Sequence, residues 1–190
     1  RYRAFFIWNF YMPAIEIKSE RMMLTPYTEA DRALMASVHC DPEIMQWMKG
    51  KRALTADEAN DTFDHYLRCW KRDDVGIFGV RSQATDEFIG ECGFWFRGDR
   101  PGAAMRYLLR PKFWGQGYGR EMTIAATEWL FTETKVDTFW AITKANNKSS
   151  IAILRRLGGI LSDDAYMGDA DLWQFDVPRS AWLNTKPENS

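Results

Sequence analysis

The chain has little cysteine, little histidine and almost no net charge. Cys40, Cys69 and Cys92 stand alone, with no Cys-x-x-Cys spacing. Three isolated thiols make neither a disulfide framework nor a zinc site, and they fit a reducing, cytoplasmic setting. His39 and His65 are the only histidines. Both fall in helical stretches and read as packed or solvated side chains, and two residues so placed make no metal-ligand set. A net charge of −1 gives no pull toward nucleic acid or an anionic membrane. No stretch of about 18 apolar residues occurs, which excludes a transmembrane helix. Two familiar phosphate loops are missing as well. No Lys-Ser or Lys-Thr follows the glycine cluster of the chain, and that cluster is spaced Gly-x-Gly-x-Gly rather than Gly-x-Gly-x-x-Gly.

What is present is a sizeable apolar fraction, 46%, in 190 residues, enough for one domain with a real core. Nine tryptophans are scattered along the chain. Core packing is the default role for each, and an aromatic acceptor pocket is the sharper alternative. Residues 1–11 carry Phe5, Phe6, Ile7, Trp8, Phe10 and Tyr11, yet Asn9 breaks the run and Pro13 follows, which is not a signal-peptide pattern. Met12 is the expected natural start, with 1–11 an appended leader or disordered segment. Residues 12–178 then form the domain and 179–190 a loose polar tail.

The most informative stretch runs from Tyr107 to Met122. The apolar run Met105 to Leu109 reads as a strand, stopped by Pro111, which has no N–H for a ladder. Gly115, Gly117 and Gly119 follow. Met122, Ala125, Ala126, Trp129 and Leu130 then recur at helical spacing. A turn with so little side-chain bulk lets backbone N–H groups converge, and the helix N-terminus adds free donors and a positive dipole end. The combination is an anion site, with phosphate as the usual guest.

At these residues the sequence resembles the GCN5-related N-acetyltransferases, in particular the RimJ/RimL-type branch. That family's loop reads Arg/Gln-x-x-Gly-x-Gly/Ala. Gly117 and Gly119 match its glycines, while Trp114 stands where Arg or Gln is usual. Arg21 to Pro26 is similar to the opening Glu-Arg-Leu-x-Leu-Arg-Pro pattern. Asn147 and Ser150 match Asn-x-x-Ser, and Leu154 to Gly158 matches the helix end, with Gly159 in place of Phe. The resemblance spans about residues 15–177.

The remaining elements read in order. A strand ends at Pro26, and Thr28 with Asp31 has capping-box spacing. A short helix spans about 43–49, and a longer one behind Thr55 and Glu58 buries Ala59, Phe63, Tyr66, Leu67 and Trp70. A hairpin covers 76–81 and 87–95, a strand 138–143, a helix ends at Gly158, and a last hairpin pairs 160–166 with 172–177. Three consecutive strands argue for antiparallel pairing, and the strand–helix–strand around residue 117 for one parallel pair. The expected class is α+β (mixed α/β): a mostly antiparallel mixed sheet of about seven strands with helices on both faces. The resemblance adds splayed central strands.

It also implies chemistry: acetyl transfer from acetyl-CoA to a primary amine by direct attack in a ternary complex. Main-chain groups of Gln116, Gly117, Tyr118, Gly119 and Arg120 would hold the pyrophosphate, with the Arg120 side chain as a possible added cation. The free edge of Leu108, Leu109 and Arg110 would pair with the pantetheine arm, and Asn147 would touch it. The helix position that carries a tyrosine in many relatives is Leu154, which cannot donate. Ser150 is therefore the candidate for the departing sulfur, with Tyr107 a second donor. The strand glutamate of some relatives is missing from 103–106. Glu91 is the candidate base if it faces the acceptor, and otherwise a surface glutamate; Asp169 and Asp171, or water alone, are alternatives. Trp47, Phe94 and Trp95 are candidate acceptor-side aromatics. The acceptor is a small-molecule or peptide amine, no metal, nucleic acid or membrane is implied, and the protein is a monomer or homodimer. The rival reading is a CoA-binding or sensory module of the same fold without catalysis.

Overall fold

The computed structural model describes residues 15–50 and 52–186; the leader expected at 1–11 lies outside them. The chain enters as two antiparallel strands, β1 (Ile17–Lys18) and β2 (Met22–Pro26). The stretch read as one strand is thus two, and the short β1 makes the sheet eight-stranded rather than seven. Thr28 donates its N–H and hydroxyl to Asp31 at 2.9 Å, closing the turn that opens α1 (Arg32–His39). Asp41 caps α2 (Pro42–Met45), with proline in the first helical position, where its missing N–H costs nothing. The helix expected at 43–49 therefore ends early, at Met45.

Thr55 and Glu58 form a reciprocal capping box for α3 (Ala56–Asp73). Its buried stripe is Ala59, Phe63, Tyr66, Leu67 and Trp70, as the spacing requires. Next come β3 (Ile77–Ser82), β4 (Phe88–Trp95) and β5 (Ala103–Leu109), then α4 (Tyr118–Glu133), β6 (Thr138–Lys144), α5 (Lys148–Arg156), β7 (Ile160–Asp163), β8 (Leu172–Pro178) and α6 (Arg179–Leu183).

The strand order is β1-β2-β3-β4-β5-β6-β8-β7. Every pairing is antiparallel except β5–β6, which α4 connects as a crossover. Side chains alternate across the sheet, so each face needs its own cover. On one face Cys92, Phe94 and Phe139 pack with Met122, Ala126 and Leu130 of α4 and with Ile151 and Leu154 of α5. On the other, Ile77 and Leu108 pack with Met35 and Val38 of α1 and with Phe63, Tyr66 and Leu67 of α3. Each large apolar side chain so buried contributes about 1.5–3 kcal/mol.

Beyond Pro178 the expected loose tail begins instead with α6, whose Trp182 is only 5% exposed. The helix lies against Gly158. A Cβ there would stand 2.7 Å from the Ala181 carbonyl oxygen, and φ is +82°. Among the described residues no helix is long and apolar enough to cross a membrane.

Candidate active site

The glycine loop is built around a left-handed residue. Gly117 has φ +83° and caps α4, a conformation that costs an L-residue roughly 1–2 kcal/mol. The first main-chain donor of the helix is Glu121 N–H, which reaches Gly117 O at 3.1 Å. Before it, the amides of residues 115–120 find no acceptor among the described residues. Six consecutive free N–H groups at a helix N-terminus suit a diphosphate. The exposed Arg120 forms no ion pair among the described residues, so its charge is available to the same anion.

A strap from the chain's opening strands holds this loop. Arg21 Nε donates to Glu121 Oε2 at 2.7 Å, and Arg21 Nη1 to Gln116 O at 3.1 Å. The guanidinium lies 4.0 Å from the Tyr118 ring centroid. Ser19 and the Arg21 main chain donate to Glu121 Oε1. Burial pushes the Glu121 carboxyl up, but these donors outweigh it and hold it below the usual carboxylate range. Trp114, where the family carries Arg or Gln, donates Nε1 to Leu109 O at 2.9 Å and ties the loop to the end of β5.

From the loop the exposed backbone of β5 leads inward. β5 pairs with β4 from Leu109 to Ala104, yet with β6 only at Ala103–Phe139 and Ala104–Trp140. The strands therefore splay beyond Ala104. Arg110 N–H donates to Ile89 O at 3.0 Å, which fixes the alternation along the strand. Leu108 and Arg110 turn their amides toward β4; Leu109 and Tyr107 turn theirs into the splay, while the Met105 amide belongs to the last β5–β6 pair. Of the edge expected at 108–110, only Leu109 faces the gap, and the Tyr107 amide faces it too. A slip of one residue reverses such an assignment, and only the observed register fixes it.

Asn147 and Ser150 stand across this gap at the start of α5. Asn147 Oδ1 accepts the Ser150 N–H at 3.1 Å, which caps the helix. Ser150 Oγ accepts the Tyr107 phenol at 2.8 Å. Burial pushes the Tyr107 pKa above its ordinary value despite that bond, so the phenol keeps its proton. Leu154 is wholly buried in the core. A cavity of about 280 Å³ lined by Lys144, Ala145, Asn146 and Asp171 opens just before Asn147. A larger one, about 500 Å³, lies beside the C-terminal end of α4, far from the loop at its N-terminus.

Glu91 is no surface glutamate: it is 0% exposed, on the α1/α3 face. Its Oε1 receives His39 Nε2 at 2.9 Å and Tyr66 Oη at 3.2 Å, and its Oε2 receives Tyr27 Oη at 3.1 Å. Arg106 Nη1 donates to the same Tyr66 oxygen at 2.7 Å. Burial alone pushes the Glu91 carboxyl up, but His39, Arg106 and the Tyr27 hydroxyl together hold it below the usual range. Enclosed on both oxygens, the carboxylate has no open path to an incoming amine. Its partners lie 25 to 64 residues away in the chain, so no local motif announces the cluster.

The aromatic candidates separate. Phe94 is fully buried and packs edge to face on Phe139, on the face covered by α4 and α5, so it cannot line an acceptor site on the other face. Trp95 lies on the opposite face, with Arg106 5.1 Å from its ring. Trp47 is 38% exposed and meets Lys144 at the end of β6. Asp169 and Asp171 sit in the exposed turn before β8. Among the described residues no group of three or more His, Cys, Asp or Glu side chains is placed to hold a metal.

An open sheet splayed at its one parallel pair, entered by an amide-lined loop at a helix N-terminus, defines an acetyltransferase fold. The description "Acetyltransferase (GNAT) domain" matches residues 21–160. The chain belongs to that family. It is 25% identical over 150 residues to the "Uncharacterized N-acetyltransferase p20" of Bacillus licheniformis, covering 76% of this chain and 84% of that one. Its fold is similar to an acetyltransferase from Agrobacterium tumefaciens (TM-score 0.75, 24% identity, 87% and 95% covered). It is also similar to the ribosomal-protein-S5-alanine acetyltransferase of Vibrio fischeri (TM-score 0.70, 16% identity, 91% and 100% covered). RimJ/RimL-type proteins are thus among its structural relatives.

Proposed function

We propose that the protein transfers an acetyl group from acetyl-CoA to a primary amine by direct attack within a ternary complex. One observation carries this reading: the free edge of β5 runs from the row of unpartnered amides at 115–120 to the Tyr107–Ser150 hydroxyl pair. Acetyl-CoA supplies the activated acyl group. The amides of Gln116 to Arg120 bind its pyrophosphate, and those of Leu109 and Tyr107 face its pantetheine arm. The Tyr107 N–H stands where a thioester carbonyl gains most from a fixed donor. Asn147 orients the start of α5, and Ser150 turns its hydroxyl proton toward the departing sulfur while accepting from Tyr107.

Glu91 acts at a distance, by fixing Tyr66 and Arg106, and the amine loses its proton to water. That suffices for an α-amine, whose pKa lies near 8. The alanine N-terminus implied by the name of the Vibrio fischeri relative is such an acceptor.

The test is thiol release from acetyl-CoA against a panel of N-terminal peptides, polyamines and amino sugars. Stimulation by one class, reduced in Ser150→Ala, supports the reading. Binding of acetyl-CoA without stimulation by any amine points to a non-catalytic CoA-binding module, and absence of binding removes the phosphate-cradle argument.

A further inference from the structure

The inner end of the splay has a chemical character of its own. Trp95, Ala104 and Trp140 stand opposite one another across β4, β5 and β6, so their side chains share the α1/α3 face. Arg106, two residues beyond Ala104, projects from the same face, opposite Gly93, which has no side chain to fill the space. The small Ala104 thus lies between two indoles where the main-chain pairing of β5 and β6 stops.

Two donors here have no acceptor among the described residues. Arg106 Nε and Trp140 Nε1 are both buried, and neither has a hydrogen-bond partner among those residues. Neither group can accept, so only an oxygen or another lone pair satisfies them. A buried donor left unpaired is costly and rare in a folded protein.

The charges point the same way. Arg100 packs over Trp140 at 4.6 Å and donates to the neutral Gln174 at 2.5 Å. Arg97 lies 5.5 Å from the same ring and is paired with Asp99 at 2.8 Å. Arg100 and Arg106 form no ion pair among the described residues. The nearest carboxylates are spoken for: Glu91 lies behind Tyr66, and Asp176 accepts from Gln174. A polycationic amine would meet Arg100, which has no carboxylate partner among the described residues, and Arg106, whose charge is offset only by the enclosed Glu91.

We infer that the acceptor is a primary amine that itself carries an oxyanion, a carboxylate or a phosphate, which Arg106, Arg100 and the Trp140 indole receive while the amine faces the splay. This deepens the proposed function and rests on it. In the reaction the amine nitrogen bonds to the acyl carbon, the carbon–sulfur bond breaks, the amine proton leaves to water, and the thiolate takes a proton from Ser150, which recovers one from Tyr107 as Tyr107 recovers its own from solvent. The oxyanion is unchanged and serves only to place the amine.

The experiment compares matched acceptors in thiol release: an amino acid with its amide, a peptide with acidic and amidated second residues, and an amino sugar with its phosphate. The wild-type protein is expected to favour the anionic member by about tenfold or more in kcat/KM, the range of a charge-assisted hydrogen bond. The ratio is expected to fall toward one in Arg100→Gln, and to fall in Arg106→Lys, which keeps the charge but loses the Nε donor. A thermal upshift with acetyl-CoA verifies that each variant is folded. Preference for the phosphate or the carboxylate pair identifies the source of the oxyanion. Equal use of both members by the wild type, or a preference that survives in both variants, overturns this inference alone. Failure of every amine, anionic or not, overturns the transferase reading with it.

Discussion

The Tyr107 phenol and the Ser150 hydroxyl meet at 2.8 Å across the gap between β5 and α5. In the proposed reaction they link a strand whose backbone faces the acyl donor to a helix start that faces the leaving group. A proton given up by Ser150 can be replaced from Tyr107, which burial keeps protonated at neutral pH. Ser150→Ala is expected to lower kcat by about 10²-fold, the low end of general-acid contributions. The acetyl-CoA Kd should move little, because the pyrophosphate is held elsewhere. Steady-state kinetics beside calorimetric titration separate the two effects, and Tyr107→Phe should give a smaller loss in kcat with the same unchanged Kd.

Arg21 reaches three parts of the anion loop at once: the Glu121 carboxylate, the Gln116 carbonyl and the face of the Tyr118 ring. It is a positioning residue. Arg21→Ala should raise the acetyl-CoA Kd by roughly tenfold, about the worth of one charge-assisted hydrogen bond, while kcat at saturation stays near the wild-type value. Arg21→Lys should recover part of the loss, since a lysine keeps the charge but not the two-directional fork. A fall in kcat with unchanged Kd would remove Arg21 from this role.

Glu91 gives stability a definite pH dependence. Its carboxyl is held below the usual range in the folded protein, by His39 and Arg106 against the opposing effect of burial. A lowered folded pKa means that its stabilisation is complete above the unfolded value, about 4.3, and drains away as pH falls through the folded value. Glu91→Gln should cost about 3–5 kcal/mol at pH 7, because it strips the counter-charge from a buried cluster. It should also flatten the acid limb of stability. Urea denaturation between pH 3 and 7, on both proteins, reads cost and slope together.

Trp182 anchors a helix that the sequence concealed. It is 5% exposed, on a five-residue helix docked against Gly158. Trp182→Ala should destabilise the domain by about 3–5 kcal/mol, measured as a lower denaturation midpoint with unchanged slope.

The contrast between α6 and α3 shows what a sequence can disclose. Helix α3 announces itself through the Thr55–Glu58 box and a stripe repeated over 18 residues, information that is local. Five residues are too few to show a period, and α6 exists because it docks. The same division holds at the site. Gly117, Asn147 and Ser150 were legible because loop, cap and helix start are contiguous. The Glu91 cluster was not, because His39, Tyr66 and Arg106 come from three separate elements and Tyr27 from the loop after β2. Nor was the direction of the β5 amides, which depends on register against β4 and leaves no trace in composition. Phe94 and Trp95 are neighbours that a two-residue period sends to opposite faces, and only one of them can see an acceptor.

The short seam between β5 and β6 has a mechanical consequence. Two residue pairs alone join β1–β5 to β6, β8 and β7 through the sheet. A ligand laid along the open edge of β5 extends that seam, so it acts as a temporary ninth strand and stitches two plates into one. The domain's resistance to unfolding then becomes a readout of donor concentration, rising by about 2.7 kcal/mol at a hundredfold excess over Kd. The amides that gain protection from hydrogen exchange should be those of Leu109 and Tyr107, which makes the donor part of the fold for as long as it stays.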